Sequence, residues 1–399
     1  VCLIIMLIPL MDMLIYNGTP MLNILIVVSF IIYLAKSGLK RSKTNVILLW
    51  SLLAFTLYDI SHYVFVPLTS LAGVVEVVVW AVSFLFFAVL LSNERGDFPH
   101  RVAHSNFVIG TGCSIAYGLV ERVRDGGLTH ALTVNGVTDR FCGASGDPNY
   151  FSLYILLSLA FMVNMLSGKG RGQPWMIALG LVYILFGFMS LSRMYAFLLI
   201  LWLFITVVTA MGRLGRVSLK GRTVLAAAAV STLAICTVWD SISGSLSFLA
   251  DRFAYSDLDS LTSHRSALMK LYMQYYLGRN VGALLLGVGI VKYNLRSGIG
   301  LYSHNVVAEA LMGWGLLGAV YLATILFVYI ARALKRPAEA KRKAAEGSRF
   351  TKAMPLLILM ASGLSLSMLE IEGFYLLLFL CLSTLVAREH VHEETESQG

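Results

Sequence analysis

The sequence predicts an all-α polytopic membrane protein, and three observations carry that prediction. Only 13% of its 399 residues are charged and 58% are hydrophobic, whereas a soluble domain carries about 25% charged residues. Mean hydropathy is +0.77. Apolar runs recur along the chain at the roughly 17 to 25 residues needed to cross the hydrocarbon core of a bilayer. The runs are continuously apolar rather than alternating, which excludes a transmembrane barrel.

Apolar runs measured against breakers give about twelve spans, expected at 2–16, 21–35, 45–66, 68–91, 105–120, 149–166, 174–190, 193–211, 223–239, 304–331, 353–370 and 373–387. The opening "VCLIIMLIPLMDMLIY" lacks a basic leader and a small-residue cleavage site, so a first span is expected there rather than a removable signal. The chain then divides into an N-terminal bundle (1–239), an extracytoplasmic loop (240–303) and C-terminal helices with a short polar tail (304–399).

The net charge of +9 does not point to nucleic acid, because the cations sit in short clusters between spans. "KSGLKRSK" (36–43), "GKGRG" (168–172), "GRLGRVSLKGR" (212–222) and "RALKRPAEAKRKAAEGSRFTK" (332–352) fall on one side if the spans alternate as counted. The positive-inside rule makes that side cytoplasmic, with both termini inside. The opposite side receives the loop 121–149, the Ser192-Arg193 junction and the large loop 240–303. In that loop, 263–280 has helical apolar spacing with interleaved cations, as expected of an amphipathic helix on the outer surface. The five cysteines have no metal-ligand spacing.

The chemistry-bearing residues gather at the outer side. His304 and Asn305 stand where a loop becomes a span, with Glu309 one turn further on the same face. An ionisable group at a membrane edge points to function, although an interfacial histidine is also simply solvated there. Asn305 is suited to cap the helix. Asp147 and Asn149 flank Pro148 at a span's start, where N-capping and substrate contact remain alternative roles.

The stretch "LLLGVG" (284–289) followed by "YSHNVVAEALMGWGLLG" (302–318) resembles the C-terminal signature of the bacterial O-antigen ligase and O-antigen polymerase family. "GASGDPNYFSLYILL" (143–157) resembles that family's Gly-Asp-Pro-Asn motif, and "GFMSLSRMYAFLLI" (187–200) its Ser-Arg junction. "SHRSALMKLY" (263–272) resembles its arginine-bearing external helix. The motifs run in order over about residues 140 to 325, while the N-terminal third matches only as generic spans.

The resemblance implies a multi-span glycosyltransferase of C type, without metal or other cofactor, in the bacterial inner membrane with its active site facing outward. Its donor would be an undecaprenyl-diphosphate-linked glycan and its acceptor a glycan or glycolipid hydroxyl. Arg193 and Arg265 would neutralise the diphosphate leaving group. His304 would act as general base, and Asn305, Glu309, Asp147 and Asn149 would support substrate or ring. Polymerisation of repeat units is slightly preferred to ligation. "SDLDS" (256–260) contains an Asp-x-Asp pair, a match too short to assign a metal site.

Asp59 and His62, one turn apart within a span, together with the intramembrane acid Glu76, keep open the alternative of a secondary transporter or lipid-linked oligosaccharide flippase. Asp12 is a similar intramembrane acid with no obvious partner in the sequence. A membrane scaffold is the third possibility.

Overall fold

The computed structural model describes residues 1–11, 13, 15–16, 19–37, 43–65, 70–93, 98–132, 134, 139–167, 174–211, 265–335 and 345–386. The expected span 223–239, the Asp-x-Asp pair, Asp12 and the polar tail lie outside the described residues. Helices dominate: α1 (Cys2–Leu7), α2 (Met21–Ser37), α3 (Lys43–Phe65), α4 (Leu71–Asn93), α5 (His100–Leu132), α6 (Pro148–Ser167), α7 (Pro174–Met189) and α8 (Arg193–Met211). After the large loop come α9 (Arg265–Leu277), α10 (Val281–Leu286), α11 (Tyr293–Arg296), α12 (Val306–Lys335), α13 (Ala345–Gly363) and α14 (Glu372–Val386). A ladder of two residues per strand, Ile15–Tyr16 with Thr19–Pro20, joins α1 to α2.

Four of these helices are long and apolar enough to cross a bilayer: Asn45–Val64, Leu71–Asn93, Pro148–Leu166 and Val306–Ala331. Shorter apolar helices cover Met21–Ser37, Trp175–Met189, Arg193–Trp202, Thr351–Gly363 and Gly373–Val386. Many large apolar side chains face outward, among them Trp50, Val64, Phe197 and Phe327. Such a surface is costly in water and at home in lipid.

Three of the expected runs differ substantially from the helices found. α5 (His100–Leu132) continues past the expected end at 120 into the expected loop 121–149, with a kink at Gly127. The first run does not continue as one helix to residue 16, because α1 ends at Leu7 and a 3-10 turn through Pro9 follows. The run 353–370 stops being helical at Gly363, after which 364–371 form an irregular segment with Ser365 in a bend and turns at Leu364 and at 369–370.

α4, α6 and α14 form the centre. From Trp80 onward α4 is buried around most of its circumference, as expected of a helix that is apolar all round. Trp80 donates its indole N–H to the Tyr375 hydroxyl (2.9 Å) and the Leu369 carbonyl (3.2 Å), and Phe84 meets Tyr375 edge to face at 5.1 Å. Opposite the loop end, Asn164 donates to the Thr351 carbonyl (2.8 Å) and His104 bonds the Thr384 hydroxyl (2.9 Å).

Candidate active site at the loop end of the bundle

The 284–303 segment is fastened to α3 and α12 by backbone approach. Gly287 and Gly289 have φ of +80° and +86°. The Val288 and Gly289 amides donate to the Gly313 carbonyl at 3.0 and 2.7 Å. A Cβ on Gly287 would lie 2.4 Å from both Gly313 O and Gly315 N. The glycines at 313 and 315 therefore serve this docking, and Gly315 (φ +64°) kinks α12 where it occurs.

The polar residues of α3 complete the fastening. Asp59 accepts from the Ile290 amide (3.1 Å) and Tyr63 from the Val291 amide (2.7 Å). His62 and Tyr58 each reach the Leu286 carbonyl at 2.7 Å. Arg296 lies over the Tyr63 ring at 4.7 Å. Glu76 pairs with Lys292 at 3.0 Å, and Glu370 accepts from the Lys292 amide at 2.7 Å. Asp59, His62 and Glu76 are thus engaged in holding the loop.

His304 stands at the end of that segment with φ +48°. A non-glycine residue held in the left-handed region is uncommon, and such positions concentrate at functional sites. The surroundings determine it. Its amide donates to Ser367 Oγ (3.2 Å), and the flanking Ser303 amide donates to the Tyr293 hydroxyl (2.9 Å). Asn305 caps α12, its Oδ1 accepting from the Val307 and Ala308 amides at 2.9 and 3.2 Å, while its Nδ2 donates to the Leu364 carbonyl (3.1 Å).

Glu309 is fully buried. Its Oε2 accepts from the Met368 and Leu369 amides at 2.9 and 3.0 Å, and Tyr293 reaches Oε1 at 3.3 Å. It holds the 368–369 backbone next to Ser367, whose hydroxyl accepts from the His304 amide.

Two further helices begin nearby. Asp147 caps α6, its Oδ1 accepting from the Asn149 and Tyr150 amides at 2.6 and 3.3 Å. The Tyr150 hydroxyl donates to the Ser367 carbonyl, so Ser367 touches both α6 and His304. Ser192 precedes α8, and its hydroxyl lies 3.3 Å from Asn149 Oδ1. Gly187, in the last turn of α7, leaves room for the Tyr195 ring, which would lie 2.1 Å from an added Cβ. Leu191, in the α7–α8 turn, has φ +48°. Met194 then meets the Ser365 hydroxyl at 2.8 Å.

The N-termini of α6, α8 and α12 are thereby joined through Asn149, Ser365 and Ser367, with Arg193 opening α8 and Arg265 opening α9. Helix N-termini carry partial positive charge, which favours anions, and here Asp147, Ser192 and Asn305 already cap the first amides of α6, α8 and α12. Burial lowers the affinity of the half-buried His304 ring for a proton, the Arg265 charge lowers it further, and Asp147 opposes both. The imidazole is accordingly biased toward its neutral, proton-accepting form.

The expected site residues fall into three roles. His304 feels the charges of Arg265 and Asp147, and Arg193 opens α8, whose next residue, Met194, meets Ser365. Asp147 and Asn305 are helix caps, and Asn149 links the α6 and α8 starts. Arg140, Tyr293 and Ser367 are additional residues that hold the arrangement. Among the described residues no three His, Cys, Asp or Glu side chains are grouped to hold a metal ion.

These features make the chain a helical membrane protein with a polar, partly cationic site built where three helices start. No protein-family model matches the chain, and no curated protein matches it.

Proposed function

We propose that the protein transfers a glycan from undecaprenyl diphosphate to an acceptor hydroxyl at the outer face of the bacterial cytoplasmic membrane. In this reading the bundle has about twelve spans and a C-type glycosyltransferase organisation, with both termini cytoplasmic by its basic loops. The observation that carries it is His304, strained into the left-handed region within the fields of Arg265 and Asp147, beside three helix N-termini.

The acceptor hydroxyl attacks the anomeric carbon from the face opposite the diphosphate. The new C–O bond forms as the bond to the diphosphate oxygen breaks, and that oxygen leaves with the electron pair. An imidazole nitrogen of His304 takes the hydroxyl proton. Arg193 and Arg265, rather than a metal ion, neutralise the charge that builds on the leaving group, with the helix N-termini contributing. The anomeric configuration inverts because there is a single displacement. Polymerisation of lipid-linked repeat units is preferred to ligation onto lipid A–core, and both use the same site.

Transport is the weaker reading, since Asp59, His62 and Glu76 are occupied in fastening the 284–303 segment. Purified protein incubated with an undecaprenyl-diphosphate glycan as both donor and acceptor tests the proposal. Longer lipid-linked glycans together with released undecaprenyl diphosphate support it. Movement of labelled lipid across a vesicle membrane with glycan length unchanged would replace it with a flippase.

A further inference from the structure

Arg140 is a cation without a role in the proposed chemistry, on the stretch leading into the Gly-Asp-Pro-Asn motif. Its guanidinium makes a two-ended contact: Nε donates to the Ser190 carbonyl at 2.7 Å and Nη2 donates to Asn149 Oδ1 at 3.1 Å. The same Asn149 oxygen lies 3.3 Å from the Ser192 hydroxyl. One residue on, the Phe141 amide donates to the Met189 carbonyl at 3.0 Å. Residues 140–141 therefore grip the α7–α8 turn at both 189 and 190 while holding the start of α6.

That turn needs gripping. Leu191 is in the left-handed region at φ +48°, an unfavourable conformation for a residue with a branched side chain and one that persists only when its surroundings impose it. Arg193 opens α8 immediately afterwards, so its position depends on the turn's geometry.

From this contact pattern we infer that Arg140 is a positioning residue for the diphosphate-binding edge, clipping the Ser190–Ser192 turn to Asn149 so that Arg193 is held toward the donor. The inference rests on the transferase reading for its functional consequence, but the clip itself is a matter of local geometry. A planar fork with fixed donors joins two acceptors on separate elements. A lysine ammonium has no such planar fork and does not reproduce the arrangement. Asn149 is the shared acceptor, so its side chain and that of Arg140 act as one unit.

Two measurements on the purified full-length protein test this. The first is amide hydrogen exchange across 189–194 in wild type, Arg140→Lys and Arg140→Ala. The clip predicts exchange faster by about tenfold in Arg140→Ala and by an intermediate factor in Arg140→Lys, with exchange in α4 unchanged. Equal protection in all three proteins overturns the inference, and this arm decides it whether or not glycan transfer is observed.

The second measurement is steady-state transfer. Arg140→Ala is expected to raise KM for the lipid-diphosphate donor about tenfold while leaving KM for the acceptor within about twofold. Arg140→Lys is expected to recover only part of the loss. The Arg140→Ala/Asn149→Ala double variant should fall within about twofold of the worse single variant, as residues acting through one contact are non-additive. Equal rises in both KM values, complete rescue by lysine, or multiplicative losses would contradict a positioning role. Absence of transfer by wild type alongside faster exchange in Arg140→Ala would instead count against the transferase reading and leave the clip standing.

Discussion

Replacing Glu309 separates a structural carboxylate from a chemical one. The Glu309 side chain is fully buried and accepts two backbone amides, Met368 N at 2.9 Å and Leu369 N at 3.0 Å, with the Tyr293 hydroxyl 3.3 Å from its other oxygen. Alanine leaves both amides without an acceptor. A buried unsatisfied donor costs about 1–3 kcal/mol, so the two together cost about 2–6 kcal/mol before any cavity is counted. Glutamine keeps one oxygen, with two lone pairs, in reach of both amides and is expected to cost about 1 kcal/mol. Against a total stability of about 5–15 kcal/mol the alanine change is severe. The thermal unfolding midpoint in detergent is expected to fall by about 2–7 °C for Glu309→Ala and by about 1 °C for Glu309→Gln, at about 1.2 °C per kcal/mol for a chain of this length. The glutamine variant should retain glycan transfer. Equal stability of the two variants would refute the assignment, as would a folded glutamine variant that transfers nothing.

Further outcomes follow from the same structure. Gly287→Ala brings a Cβ to 2.4 Å from two backbone atoms at φ +80° and should cost about 2–5 kcal/mol, from left-handed strain plus overpacking. Gly298→Ala shares that φ but meets nothing within 4 Å and should cost only about 1–2 kcal/mol in the same unfolding assay. The acid limb of the pH–rate profile should lie below the ordinary histidine value, because burial and Arg265 both disfavour the protonated ring. Arg265→Gln removes a repulsion of the proton and shifts that limb to higher pH, whereas Asp147→Asn removes an attraction and shifts it lower. Shifts in the same direction in a pH–rate series would contradict the electrostatic arrangement. Tyr63→Phe strands the Val291 amide, bonded at 2.7 Å, and should cost about 1–3 kcal/mol by thermal unfolding.

The helices were legible because bilayer thickness writes itself into the length of apolar runs. Lys43–Phe65, Leu71–Asn93, Pro148–Ser167 and Val306–Lys335 fall within a few residues of the expected bounds. Where the run length misleads, backbone geometry is the reason. Pro9 terminates α1 in a 3-10 turn, and the irregular segment after Gly363 breaks a stretch that is still apolar enough to be read as a span. The capping roles of Asp147 and Asn305 were readable from residue type and place. The partners of His304 were not, because Ser367 is 63 residues away and Asp147 lies in a different third of the chain.

Asp59, His62 and Glu76 looked like midplane polar groups because a linear reading cannot see the loop folding back onto α3. The role of Arg140 is hidden from the linear chain for a similar reason: its acceptors at Asn149 and Ser190 meet only on folding. Its place just ahead of the turn-forming "CGASGDPN" was the one local hint.

The central claim is that the imidazole at 304 accepts the proton of an attacking sugar hydroxyl. Its most direct test is the turnover of a lipid-diphosphate glycan by His304→Ala, purified and shown by thermal unfolding to be folded. The account predicts loss of product by at least about 100-fold, the scale of a general base, with donor binding retained. Elongated or transferred glycan formed at the wild-type rate would contradict it.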